Sequence, residues 1–142
     1  METRTPTADA TPGKSTAAKL LIKPGTSLWI SDDSLRPALD PLPEGVATAS
    51  SPVQATTVIL VARDAASLRS HLARLRADLE RPSVLWVAYP KTHRIDLNRD
   101  SVWPILVEHG CRPVGQAAIG DDWSAMRFRP LAPGEAKFTG GR

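Results

Sequence analysis

Four short polar segments carry the side chains with which this chain could do chemistry. They are Ser31-Asp32-Asp33-Ser34, Arg63-Asp64, Lys91-Thr92-His93-Arg94 and Asp121-Asp122-Trp123, and each follows or joins apolar runs. If those runs are parallel strands, the first three segments collect on one rim beyond the carboxyl ends, where α/β sheets hold their ligands. There Asp32, Asp33, Arg63, Lys91, His93 and Arg94 form a mixed-charge set suited to a small anionic ligand, with the Arg and Lys side chains as charge partners. Asp121, Asp122 and Trp123 make a secondary candidate, two acids beside an aromatic that could take a cation or a ligand ring. Each set also has a structural explanation. Asp32, Asp33 and Asp64 stand where helix N-caps are expected, and loop Lys and Arg are mostly solvated. An acidic turn followed by a Trp folded onto the core is what a hairpin requires.

The remaining reactive residues point to no catalysis. His71, His93 and His109 are 22 and 16 residues apart and form no HxxxH or HxH pair, so nothing brings them to one metal or one triad. Cys111 is the only cysteine; it can form no intrachain disulfide and no zinc cluster, and reads as a small buried strand residue. Gly13-Lys14-Ser15 imitates the end of a phosphate-binding loop, but Ala8 stands where that loop needs its first glycine and no strand precedes it. No Gly-x-Ser-x-Gly elbow accompanies the serines. No catalytic residue and no cofactor are expected.

The elements that would position the rim are legible between residues 17 and 131. Ala17 to Ile22 reads as a helical turn, and Pro24-Gly25 leads into a strand at Ser27 to Ile30. Ser31 to Ser34 supply N-caps for a brief helix around Leu35 to Leu39, stopped by Pro41 to Gly45. Val46 to Ala49 is a weak strand. Thr56 to Ala62 is apolar on both faces, the mark of a strand covered on two sides by helices. Leu68, Leu72, Leu75 and Leu79 then fall within about 60° of one another on a helix, a narrow stripe facing a sheet. Arg69 and Arg76 lie on one flank of that stripe and His71, Arg74 and Asp78 on the other, a solvated face with an Arg74–Asp78 pair or, alternatively, a surface for an acidic partner.

Arg81-Pro82 ends this helix, and Ser83 to Tyr89 is the next buried strand. A charged loop from Lys91 to Asp100 leads to a helix over Ser101 to His109, with Pro104 tolerable in its first turn and Gly110 at its end. Arg112 to Ile119 and Ser124 to Pro130 are the last two strands; Pro113 places the former at an edge. Met126 and Phe128 alternate with Arg127 and Arg129, so one face of the last strand is wet. Trp29, Trp86 and Trp103 are expected in the core.

Composition sets the outer limits. The chain has 142 residues, 42% apolar and 23% charged, which suits one domain with one core. The organisation expected is a disordered tail at 1–16, a single α/β domain at 17–131 and a flexible C-terminal tail at 132–142, because the ends are rich in Thr, Ala, Pro, Ser and Gly without apolar periodicity. The net charge of +3 is misleading as a hint of nucleic acid. Residues 1–23 contribute +2 and residues 132–142 +1, and residues 24–131 hold equal numbers of cations and acids. A neutral body lacks the clustered cations that phosphate backbones require; a nucleic-acid accessory role would rest on the basic N-terminal tail alone. No apolar run reaches the length of about 18 residues that a membrane span needs, and no signal-peptide pattern opens the chain, so the cytoplasm is expected.

From Thr57 through Lys91 to Arg129, the order of elements resembles the second half of a class I methyltransferase: strand, helix, strand, helix and antiparallel hairpin. A wider stretch, Ala17 to Pro130, resembles the small bacterial domain of unknown function 3052 family. The words that carry it are Lys23-Pro24-Gly25, Leu42-Pro43-Glu44-Gly45, Trp86 to Lys91, Leu97 to Asp100, Trp103 and Asp121 to Phe128. That likeness implies a compact α/β domain and no established activity. The methyltransferase likeness implies a Rossmann-like, mostly parallel sheet of five or six strands with a C-terminal antiparallel hairpin and flanking helices. It also implies a glycine-rich turn after the first strand and a ribose-binding acid at the end of the second. This chain has Ser31-Asp32-Asp33-Ser34 at the first place and no acid from Val46 to Ser51. The reading is therefore a non-catalytic binding or regulatory module for a small anionic ligand or a protein partner. The alternatives are a degenerate S-adenosylmethionine-dependent or other small-molecule enzyme, and the nucleic-acid accessory protein.

Overall fold

The apolar run at Thr57–Val61 becomes the middle of a six-stranded sheet, and all five of its residues are buried. In the computed structural model, residues 16–40, 42–75, 84–91, 99–120 and 122–136 are described. The strands are β1 (Ser27–Ile30), β2 (Ala47–Thr48), β3 (Thr57–Val61), β4 (Val84–Pro90), β5 (Cys111–Ile119) and β6 (Trp123–Pro130), in spatial order β2-β1-β3-β4-β6-β5. The first four run parallel, with Leu28 opposite Thr57 and Thr57 opposite Val84. β6 returns antiparallel beside β4 and pairs with β5 at the edge. This is the mixed α/β, Rossmann-like sheet that the strand pattern predicts, in its six-stranded form.

The helices are α1 (Thr16–Lys19), α2 (Ala65–Leu75) and α3 (Arg99–Glu108), joined by 3-10 segments at Asp33–Leu39 and Pro52–Gln54. They divide the core in two. One face of the sheet packs Val58, Leu60, Leu85 and Val87 under Leu68, Leu72 and Leu75 of α2 and Val102, Ile105 and Leu106 of α3. The other packs Leu28, Ile30, Ile59, Val61, Trp86 and Ala88 under Ala17, Leu20 and Ile22 and, from the 3-10 helix, Leu35 and Leu39. Each fully buried Leu or Ile contributes roughly 1.5–3 kcal/mol of transfer free energy, so the apolar stripe rather than helix propensity holds α2 in place. Leu79 and the Arg74–Asp78 pairing fall outside the described residues. Thr57 Oγ1 is buried with no hydrogen-bond partner.

Four details depart from the sequence reading. β2 is two residues long with both exposed, shorter than Val46 to Ala49, because it has only β1 to pair with. α3 begins at Arg99 rather than Ser101, so Pro104 lies beyond the first turn; the proline cannot donate to the Asp100 carbonyl, and the packing of Val102, Ile105 and Leu106 compensates for the missing bond. β5 begins one residue earlier, at Cys111, which is buried. Trp29 and Trp103 are partly buried against the core and not enclosed by it, whereas Trp86 is buried. The edge position of β5 is borne out, with an irregularity between Pro113 and Gly115 at the residue that cannot donate.

Both ends of the described domain are tied down. At α1, Ile22 N–H donates to Ala17 C=O and Leu21 N–H to Ala18 C=O, both at 3.0 Å, which is the Schellman closure of a helix. Leu21 occupies its left-handed position with φ +64°. Trp86 Nε1 donates to Leu20 C=O at 2.8 Å and so fastens this turn to β4. At the other end, the Glu135 carboxylate accepts from Arg112 at 2.6 Å, from Arg129 at 2.8 and 2.9 Å and from the Ala132 N–H at 2.8 Å. These contacts, the Arg129 bond first, hold its carboxyl well below the usual glutamate range.

Candidate functional site

Because β1, β3 and β4 are parallel, the turns after Ile30, Val61 and Pro90 emerge on one edge. The register of β4 on β6 places Pro90 opposite Trp123, so the start of the hairpin's second strand joins the same edge. Lys91 N–H donates to Asp122 C=O at 2.8 Å, which extends the β4–β6 pairing one step past the sheet.

The first turn is held by backbone and side chains together. Ser31 N–H donates to Ile59 C=O at 3.0 Å, while Ser31 Oγ accepts from Val61 N–H at 2.7 Å, so a hydroxyl continues the β1–β3 ladder where the backbone leaves it. Asp32 is extended, φ −141° and ψ 108°, and caps the 3-10 helix by accepting the Ser34 N–H on Oδ1 at 3.0 Å. Its Oδ2 takes Arg63 Nη2 at 2.8 Å, and the same Nη2 lies 3.1 Å from Ser34 Oγ. The Arg63 bond, followed by that of the Ser34 amide, lowers the Asp32 pKa to about 2. The Arg63 guanidinium carbon stands 5.3 Å from the Trp123 ring centroid, within cation–π range. Asp32, Arg63 and Trp123 thus form a bar across the edge from β1 to β6. Its members are solvent-facing, with 57% and 35% of the Arg63 and Asp32 side chains exposed, so the ion pair contributes under about 1 kcal/mol.

The turn after β3 is built as a helix start. Ser67 N–H donates to Asp64 Oδ1 at 2.7 Å, and Ser67 Oγ lies 3.3 Å from Asp64 N and 3.1 Å from Arg63 N, a reciprocal cap with Ser in the place usually taken by Glu. Asp64 is therefore accounted for by capping.

Of the residues read as ligand-binding, the structure brings Asp32 and Arg63 into contact, sets Trp123 beneath Arg63, and places Lys91 beside Asp122. Asp33 is exposed on the first turn of the 3-10 helix. His93, Arg94 and Asp121 lie outside the described residues. Trp123 also packs on the core, as a hairpin tryptophan should. Sequence reasoning counted Ser34 among the N-cap candidates but not in the ligand set, yet its amide and hydroxyl both enter the bar; its position two residues past the Asp32 cap was the available signal.

A recess of roughly 360 Å³ opens on the α2 face of the sheet, lined by Trp29, Pro52, Leu60, His71, Arg74 and Leu75 and reaching Ser31. His71 Nε2 faces Val61 C=O at 3.2 Å. Burial lowers its pKa below the ordinary value against the opposing effect of the Val61 carbonyl, with the nearby Arg74 adding to the lowering. His109 Nδ1 meets Ile105 C=O at 2.9 Å, and no group of three metal-ligating side chains occurs among the described residues. No described helix is long and apolar enough to cross a membrane.

No protein-family profile matches the chain, so the likeness to the domain of unknown function 3052 family gains no support, and no curated protein matches either. Two solved structures of a Streptococcus pneumoniae protein, named as a candidate tRNA (m1A22) methyltransferase, do match. The one in complex with S-adenosyl-L-methionine superposes with a TM-score of 0.52 at 12% identity, over 87% of this chain and 72% of that one. The other gives 0.51 at 11% identity, over 87% and 70%. At such identity the likeness is one of fold, a methyltransferase-like Rossmann sheet, and says nothing of activity.

Proposed function

We propose that this chain is a non-catalytic binding or regulatory module on a methyltransferase-like sheet, one that does not hold an adenosyl cofactor. The observation behind this reading is the state of the first turn. In a cofactor-binding Rossmann turn, glycines let a ligand reach free backbone N–H groups. Here the Ser31 amide is used by Ile59, the Ser34 amide by the Asp32 carboxylate and the Leu35 amide by Asp32 C=O, and Arg63 lies over the same carboxylate. Titrating the intact chain with S-adenosylmethionine and with nucleotides in a calorimeter should give no binding heat. Micromolar affinity for any of them would overturn the reading.

The fold likeness favours a second reading, a degenerate methyltransferase or other small-molecule enzyme that uses Asp32, Arg63, Lys91 and His93. On that reading a metabolite raises the melting temperature and the double variant Asp32→Ala with Lys91→Ala abolishes the rise. A broad metabolite screen without any such rise removes it.

A further inference from the structure

We propose that the recess on the α2 face of the sheet binds a planar aromatic monoanion, an aryl carboxylate or sulfonate, with its ring on the Trp29 indole and its acidic group on the Arg74 guanidinium. This goes beyond the reading of the rim and does not depend on it, since Asp32, Arg63 and Trp123 do not line the recess.

The shape comes from what separates the strands. β2 and β3 are joined by residues 49–56, whose only regular structure is the 3-10 turn Pro52–Gln54. That connection is too short for a helix that could lie across β1. Trp29 and Leu60 project from neighbouring strands onto one face; Trp29 is registered with Val58, two residues before Leu60, so the pair sits on a diagonal of the sheet and makes a flat apolar floor. Pro52 closes one side and Leu75 of α2 the other. The volume of roughly 360 Å³ lies at the small end of the range for ligand sites. A partly buried indole on a flat floor is the surface on which a planar ring gains offset stacking as well as apolar burial.

The charge comes from α2. Arg74 follows His71 by one helical turn and stands next to Leu75 of the buried stripe, so its guanidinium lies at the margin of the floor. Among the described residues the Arg74 side chain makes no hydrogen bond, ion pair or ring contact. This sets it apart from Arg63, held by Asp32 and Trp123, and from Arg69, paired with Glu108 at 2.9 Å. His71 turns Nε2 to Val61 C=O, which makes that nitrogen the donor, and burial holds its pKa below the ordinary value. Ser31 Oγ accepts from Val61 N–H and keeps its own hydroxyl proton to donate. The recess therefore offers one cation, one hydroxyl donor and an apolar floor, which suits a ligand with a single negative charge at the end of a flat ring.

The test uses 2-naphthoate and its neutral counterpart, 2-naphthalenemethanol, titrated by calorimetry into the intact chain. The acid should bind and the alcohol should bind more weakly. Arg74→Gln should weaken the acid by about tenfold or more, the loss expected for a charge-assisted hydrogen bond, and leave the alcohol unchanged. Arg69→Gln removes the same charge from another part of α2 and should leave both unchanged. Both side chains are exposed, so the variants should melt as the parent does. No heat from naphthoate up to about millimolar concentration, equal binding of acid and alcohol, or an equal loss in Arg69→Gln would each overturn the proposal. The adenosylmethionine titration addresses the rim alone, so either reading can fail while the other stands.

Discussion

The β3–β4–β6 half of the sheet and the β2–β1 half are built from different materials. The first has strands of five, seven and eight residues, helices of eleven and ten residues on one face, and apolar side chains on both. The second has strands of four and two residues and only 3-10 segments to cover them. Where burial is complete, a strand is fixed by its own apolar run. Where it is not, side chains complete the backbone: Ser31 Oγ carries the β1–β3 ladder past Ile30, and Ser27 Oγ accepts the Thr56 N–H at 3.0 Å. The thin half holds what could be a binding surface, because it is the half with groups not consumed by packing.

The largest effect should separate the two halves outright. Leu72 is fully buried between α2 and the sheet, and Leu72→Ala should cost about 2–5 kcal/mol through lost transfer energy and the cavity left behind. Val46, partly exposed beside β2, should lose less than about 1 kcal/mol on substitution by Ala. Urea unfolding with an unchanged slope measures both. Comparable losses would mean that the thin half is as well packed as the thick one.

A smaller effect, of opposite sign, is expected where backbone strain is carried, at the short helix α1 fastened to β4. α1 and α3 both close on a left-handed residue, but α3 has Gly110 there, φ +81°, and α1 has Leu21, φ +64°. A non-glycine residue in that conformation costs about 1–2 kcal/mol, and glycine gives back about 0.5–1 kcal/mol in unfolded-state freedom. Leu21→Gly should therefore stabilise the chain by about 0.5–1 kcal/mol, read as a higher urea midpoint. Leu21 is exposed, so no packing is lost; a lower midpoint would show that its side chain holds α1 down.

How much of this could be read in advance follows the same division. β3 and β4 were legible to within a residue, since a doubly buried strand writes its limits in its own composition. The stripe Leu68, Leu72 and Leu75 and the edge position marked by Pro113 are equally local signals. The fold class followed from them. The bar across the rim did not, because Asp32 and Arg63 are separated by 31 residues and each had a sufficient local explanation, capping for one and solvation for the other. The register that carries Trp123 under Arg63 depends on β6 turning back beside β4, which no residue near either end announces. Trp29 misled for a related reason: its period matches a core position, and what leaves it open is a helix missing between β2 and β3. The signal was the short stretch from Ser50 to Thr56. Pro104 reads as a first-turn residue because the rule for proline is local, whereas the packing that tolerates it deeper in the helix is not.

The smallest effect tests whether charge closes the rim. Asp32→Asn keeps a capping acceptor, since Asn caps as well as Asp, and removes only the charge facing Arg63. The folded-state pKa of Asp32 is about 2 against an ordinary value of 3.8. A carboxyl whose pKa is lowered by folding stabilises the folded chain above its unfolded value and loses that contribution as pH falls through the folded one. The parent should thus exceed Asp32→Asn in stability at pH 7, by under about 1 kcal/mol for so exposed a pair. The gap should shrink between pH 4 and 2, and added salt should narrow it at neutral pH. Glu135, at the far edge of the sheet, titrates in the same direction, so each variant must be compared with the parent at each pH. A gap that survives at pH 2 would assign Asp32 to capping geometry alone. Arg63 would then be free to leave the turn, and the case for a rim closed to an adenosyl ligand would rest only on the occupied amides of Ser31, Ser34 and Leu35.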